Sequence, residues 1–102
     1  MIYVFWSAQG PKEAKRIIHS LLEKRLIACA SIVPEVESVY RWKGRIEESQ
    51  ESKVILKTQA KHFESILSFI KKEGSYDVPE VSSLKIEKGN SQYLEWLEGE
   101  VD

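Results

Sequence analysis

The only cysteine, Cys29, stands in the stretch I-A-C-A-S at residues 27–31. A thiolate is both the protein nucleophile and a soft metal ligand. A thiol flanked by alanines in an apolar run also reads as a small hydrophobe. His19 and His62 fall beside the apolar stripes of their predicted helices rather than within them, which reads as surface placement. No base therefore stands ready to activate Cys29, and the thiol reads as a strand residue beside a tight space rather than as a nucleophile. Glu47, Glu48, Glu51, Asp77 and Glu80 offer carboxylate oxygens to a hard or borderline cation, or serve as solvated charge. The sequence has no CxxC, HExxH, GxxxxGK, GxGxxG or nucleophile elbow, so the expectation is a binding protein and not an enzyme.

The chain is short, with 102 residues, of which 42% are hydrophobic and 30% charged, as expected of one domain spanning residues 1–102. Fifteen basic residues face sixteen acidic ones, so no global charge draws the chain to nucleic acid or to anionic lipid. Tyr40 and Trp42 have the chemistry to stack on a base, yet the charge around them is balanced and no RNA-binding motif accompanies them. The opening M-I-Y-V-F-W-S-A-Q-G lacks a basic start, and its apolar run ends at Trp6. That reads as neither a signal peptide nor a membrane span, and the expected location is the cytoplasm.

The elements that must position these residues follow from periodicity. Residues 2–6 are continuously apolar and predict a strand. Pro11 suits a first helical turn, and Ala14, Ile17, Ile18, Leu21 and Leu22 form the apolar stripe of a helix ending near Lys24 and Arg25. Residues 26–33 predict a second strand, and Pro34 implies a bulge or an edge. The chain stays extended to a reversal at Lys43-Gly44 and returns through residues 52–58. Thr58 is expected to cap a helix with Phe63, Ile66, Leu67 and Ile70 inward and Gly74 at its end. Residues 81–87 predict the last strand, and Asn90 caps a short helix with Tyr93, Leu94, Trp96 and Leu97. The order β-α-β-β-α-β-α is an α+β, ferredoxin-like arrangement with both long helices on one face of an antiparallel sheet. Its hairpin is overlong for so small a domain, and an exposed arm bearing Tyr40 and Trp42 calls for a partner, most simply a second copy of the chain.

The segments E-K-R-L-I-A-C-A-S-I-V-P, S-V-Y-R-W-K-G-R-I-E-E-S, V-I-L-K-T, Y-D-V-P-E-V and Y-L-E-W-L occur in order along nearly the whole chain, and together they resemble the CutA family of divalent-cation tolerance proteins. The resemblance implies a ferredoxin-like fold, a PII-like homotrimer with hairpins paired between subunits, and a role in tolerance to copper and other divalent metals. Cys29, Tyr40, Trp42, Gly44, Lys57, Tyr76, Pro79 and Glu80 fall on matching positions. It further implies a ligand cleft near Cys29, Tyr40, Trp42, Lys57, Tyr76 and Glu80, with Cys29 and Glu80 as the metal donors. Some family members place a cysteine where this chain has Trp6, and histidines where it has Glu73 and Gly74. No cofactor is required on this reading, and copper(II) or another divalent cation is the ion to expect. The alternative readings are a PII-like effector- or partner-binding module and a trimeric anchoring scaffold, neither with a physiological metal site.

Overall fold

Ile2, Val4, Trp6 and Ala8 alternate with Tyr3, Phe5 and Ser7 along β1 (Ile2–Ala8), and the first set points into the core. A computed structural model describes residues 1–102. After β1 come α1 (Pro11–Glu23), β2 (Cys29–Trp42), β3 (Arg45–Thr58), a 3₁₀ turn (Ala60–His62), α2 (Phe63–Glu73), β4 (Val81–Lys85) and α3 (Ser91–Gly99). The sheet is antiparallel throughout, in the order β2-β3-β1-β4. Both long helices cover one face. Ala14, Ile17, Ile18 and Leu21 of α1 and Ile66 and Ile70 of α2 close over Val4, Trp6, Val54 and Leu56. The α+β ferredoxin-like expectation holds.

The other sheet face is only partly covered. Helix α3, started by the Asn90 side chain accepting from the Gln92 amide at 3.1 Å, lies over one end of it. There Leu97 and Val101 bury against Ala28, with Met1, Cys29 and Leu94 alongside. Beyond α3, Val33 and Leu84 remain 44% and 60% exposed, which matters below for assembly.

The hairpin is long, and its register explains how. Residues 52–58 of β3 pair with β1, whereas the arm beyond, β2 from Val36 and β3 up to Glu51, is two-stranded. Pro34 marks a bulge, as its ring requires: Val33 faces Lys53, but Val36 faces Glu51, so β2 carries one extra residue. The fully buried Ser52 donates its hydroxyl to the Pro34 carbonyl at 2.7 Å, satisfying a group the bulge removes from the ladder. The extra residue inverts the alternation. Cys29, Ser31 and Val33 before the bulge and Val36, Ser38, Tyr40 and Trp42 after it all pair with odd-numbered residues of β3, on the sheet face away from α1 and α2.

At the reversal Lys43 and Gly44 take φ of 50° and 79°, both left-handed as a two-residue hairpin turn demands. Lysine is strained there and asparagine is not. Lys43→Asn is therefore expected to stabilise the chain by up to about 1 kcal/mol, read as a raised urea midpoint with an unchanged slope.

Some expected boundaries and caps differ from the structure. Cys29 opens β2 rather than sitting mid-strand, and β4 stops at Lys85. Thr58 caps no helix: it is fully buried and donates to the Leu26 carbonyl at 2.5 Å, while Gln59 precedes the 3₁₀ turn. Arg25 ends α1 in the left-handed region, with its amide on Leu22 and that of Leu26 on Leu21, a closure that usually employs glycine. Gly74 does end α2, but in extended backbone. Its role is space, since a Cβ there would lie 2.8 Å from the Ile70 carbonyl oxygen.

Candidate functional site

A cleft of about 600 Å³ lies between the hairpin arm and the loop that leads into β4. Its wall is the arm, on which Ser38, Tyr40 and Trp42, spaced by two, share one face. Its opposite side is Tyr76, Asp77, Val78 and Glu80, and Ser7, Glu51 and Lys53 form the floor. The loop is fixed from α1. Gly10 has no side chain to cap that helix, and the Glu13 carboxylate reaches back to the Gln9 amide at 3.0 Å. The same carboxylate accepts from the Ser75 amide at 2.8 Å and from the Ser75 hydroxyl. Burial pushes Glu13 upward, but these hydrogen bonds outweigh it and hold the carboxyl below its usual value.

The floor is a polar cluster. Lys53 Nζ lies 2.6 Å from Glu80 Oε1 and 2.9 Å from Ser7 Oγ, and Ser7 donates to the same Glu80 oxygen at 3.0 Å. The Lys53 ammonium, then the Ser7 hydroxyl, hold the Glu80 carboxyl below its ordinary value. The Ser7 hydroxyl proton is directed to Glu80 and its oxygen accepts from Lys53, an arrangement that fixes an ion pair rather than activates a nucleophile.

Tyr76 behaves in the opposite sense. Burial and the neighbouring Glu51 carboxylate push its phenol up to about 12. Its folded value lies above the ordinary 10, so the stability it contributes is full below pH 10 and is lost as pH rises toward about 12. Tyr76 is expected to be a late-ionising phenol in an alkaline absorbance titration. Glu51→Gln brings its midpoint down, and Tyr76→Phe removes the step.

The residues singled out from the sequence divide into two groups. Tyr40, Trp42, Tyr76 and Glu80 meet in the cleft. Cys29 and Lys57 do not: they pair across β2 and β3 at the far end of the same sheet face, under α3. Cys29 Sγ is 3.7 Å from the Tyr93 hydroxyl, and Lys57 Nζ is 5.8 Å from the Tyr93 ring centroid. The Tyr93 hydroxyl, opposed by partial burial, raises Lys57 above its usual value. Lys53, Ser7 and Tyr93 were not foreseen. The alternation that buries Val54 and Leu56 would have placed Lys53 beside Glu51 and Lys57, but nothing in the sequence joins β1 to the loop before β4.

Metal ligation within one chain does not fit. Cys29 pairs with Lys57, Glu80 bonds Lys53, and the two lysines are four residues apart on β3, roughly 13 Å. Cys29 and Glu80 thus reach no common ion within one chain. No group of three or more His, Cys, Asp or Glu side chains converges anywhere in the chain. Trp6 is 1% exposed in the core, Glu73 is paired with Arg16 at 3.3 Å, and Gly74 has no donor. His19 is exposed, and His62 is half-buried with its Nε2 unpartnered.

Comparison with known proteins agrees with this architecture. The model of the CutA1 divalent ion tolerance protein family matches residues 2–100. The chain is 39% identical to human Protein CutA over 93 residues, covering 91% of this chain but 52% of the human protein, about half its length. It is 36% identical over 96 residues to the divalent-cation tolerance protein CutA of Pectobacterium atrosepticum, covering 94% of this chain and 87% of that one. The solved structure of the divalent cation tolerance protein from Thermus thermophilus superposes with a TM-score of 0.95 at 36% identity, covering 100% of both chains. A family match over nearly every residue and this structural agreement lead to one conclusion: the chain belongs to the CutA1 divalent ion tolerance protein family.

Proposed function

We propose that this protein serves divalent-cation tolerance by binding rather than by catalysis, as a homotrimer whose ligand site is the Tyr40–Trp42–Tyr76–Glu80 cleft. The observation that carries this reading is the cleft itself: a two-stranded arm with an aromatic face is held against a loop tethered through Glu13. A concave site with apolar walls and a few fixed polar groups is the ordinary form of a small-ligand site. The trimer is supported by the outer edges of the two-stranded arm, which pair with no further strand, and by the exposed Val33 and Leu84 on the sheet face that carries no long helix. A single free thiol suits a reducing compartment, the cytoplasm on this reading. No helix is long and apolar enough to cross a membrane.

Copper(II) or another divalent ion is a ligand on this reading and not a resident cofactor. Because one chain assembles no chelating set, an ion site draws donors from more than one subunit, with Cys29 and Glu80 as the contributions of this sequence. The test is a calorimetric copper(II) titration of the reduced protein with glycine as competitor. Saturation at a simple stoichiometry, lost in Cys29→Ser, supports a metal ligand. No competitive binding leaves the cleft as the functional site and removes copper from the reading.

A further inference from the structure

The cleft carries charge that its own contacts do not neutralise. Glu51, Asp77, Glu80 and Lys53 line it. Lys53 is already engaged by Glu80 at 2.6 Å, and those two cancel. Glu51 and Asp77 remain, and neither is in an ion pair. Around them stand the rings of Tyr40 and Trp42, 43% and 52% exposed, and of Tyr76. An anion entering here meets two like charges, and among the lining side chains only an engaged lysine answers it. A neutral ligand leaves both carboxylates without a counter-charge.

The kind of cation follows from geometry. A metal ion must exchange its water shell for several convergent donors, and one chain brings no such group together, so a metal site needs donors from a second subunit whereas this cleft is lined within one chain. An organic ammonium needs no convergence: it is attracted to ring faces and to any carboxylate within reach. The Trp42 ring already meets one within this chain, since Lys43 Nζ lies 6.0 Å from its centroid. Glu51 and Asp77 sit on two different elements, β3 and the loop before β4. Two ammonium groups joined by methylenes answer both charges, while the stem lies along apolar ring surface, as a lysine side chain does. We infer that this cleft binds an aliphatic diamine or polyamine, with its ammonium groups on Glu51 and Asp77 and its methylene chain against Tyr40, Trp42 and Tyr76.

The inference rests on the cleft being the ligand site proposed above, and the test separates the two. The assembled protein is titrated calorimetrically with spermidine at fixed ionic strength, and folding of each variant is checked by circular dichroism. Saturable binding is expected, weakened more than roughly tenfold by the double substitution Glu51→Gln and Asp77→Asn. Trp42→Ala is expected to cost roughly three- to fivefold, the change a cation–π contact at an exposed site carries. Spermidine binding that neither variant weakens is general attraction to an acidic surface and overturns the inference, as does no binding at all. In parallel, the Trp42 indole resonance, identified with Trp42→Phe, is followed as spermidine, glutamate and neutral sugars are added. A shift with glutamate or sugar but not with spermidine keeps the cleft and overturns the amine. No shift with any of them overturns both.

Discussion

Trp6→Ala is expected to lower the unfolding free energy by about 3–5 kcal/mol, the cost of removing a large aromatic from a closed core. Trp6 is 1% exposed, sits in the central strand, and is flanked by Val54 on β3 and Val81 on β4. Its neighbours on both sides are held by strand pairing and cannot collapse into the space, so the cavity term is near its full size. In a chain of 102 residues that loss is a large share of the total, typically about 5–15 kcal/mol for a domain. Urea unfolding at constant protein concentration reads the effect. Trp6→Phe, which keeps a ring, is expected to lose less. The same burial makes a second prediction for Trp6→Cys. The new thiol faces Ala14, Ile17 and other apolar core residues, so copper(II) binding under glycine competition stays as in the unsubstituted protein. Tighter copper binding by Trp6→Cys would show that this core opens to ions and would reinstate position 6 as a ligand position.

The fold was legible because its signals are local. Pro11, the 3.6-residue spacing of Ala14 to Leu21, the Lys43-Gly44 reversal and Asn90 each state their own structure. The site was legible only in part, because it depends on parity across a bulge. In a regular strand Cys29 and Tyr40, an odd and an even position, would face opposite sides. Pro34 inserts one residue and brings them to the same face, yet it does not bring them together, because about eleven residues of strand separate them. The grouping of Cys29 and Lys57 with Tyr40, Trp42, Tyr76 and Glu80 came from shared resemblance, and register divides it into a cleft and a separate thiol–lysine–tyrosine contact under α3. Thr58 misled for a related reason. A threonine before a helix reads as a cap, but the parity of β3 turns it inward, where its hydroxyl finds the Leu26 carbonyl. The left-handed backbone of Arg25 carries no sequence signal, and at the Lys43-Gly44 reversal the signal is Gly44 and not Lys43, since glycine or asparagine is the expected residue at such positions.

On the proposed homotrimer, Leu84→Glu is expected to reduce the solution mass at micromolar concentration from that of three 11.8 kDa chains to that of one. Leu84 lies opposite Tyr3 on the sheet face that α1 and α2 leave free, and it is 60% exposed in the single chain. On the far edge of that face Val33 is 44% exposed, and between them run Phe5 and Ile55, paired with each other and half-buried. Within one chain the substitution removes few contacts, so its cost to the monomer fold is small. In a closed homotrimer the effect is repeated at every copy. Each interface loses the burial of a leucine and must desolvate a carboxylate, against which this part of the face offers only lysines already engaged, Lys57 beside Tyr93 and Lys53 paired with Glu80. Leu84→Gln, which adds polarity without charge, is expected to associate more weakly than the unsubstituted chain and more strongly than Leu84→Glu. Light scattering reads the mass, and far-UV circular dichroism shows that the separated chain keeps its secondary structure. A Leu84→Glu protein that stays trimeric would place the subunit contacts on the hairpin arms alone. The free sheet face would then need another explanation, and Tyr40 and Trp42, rather than Leu84, would be the side chains to test for assembly.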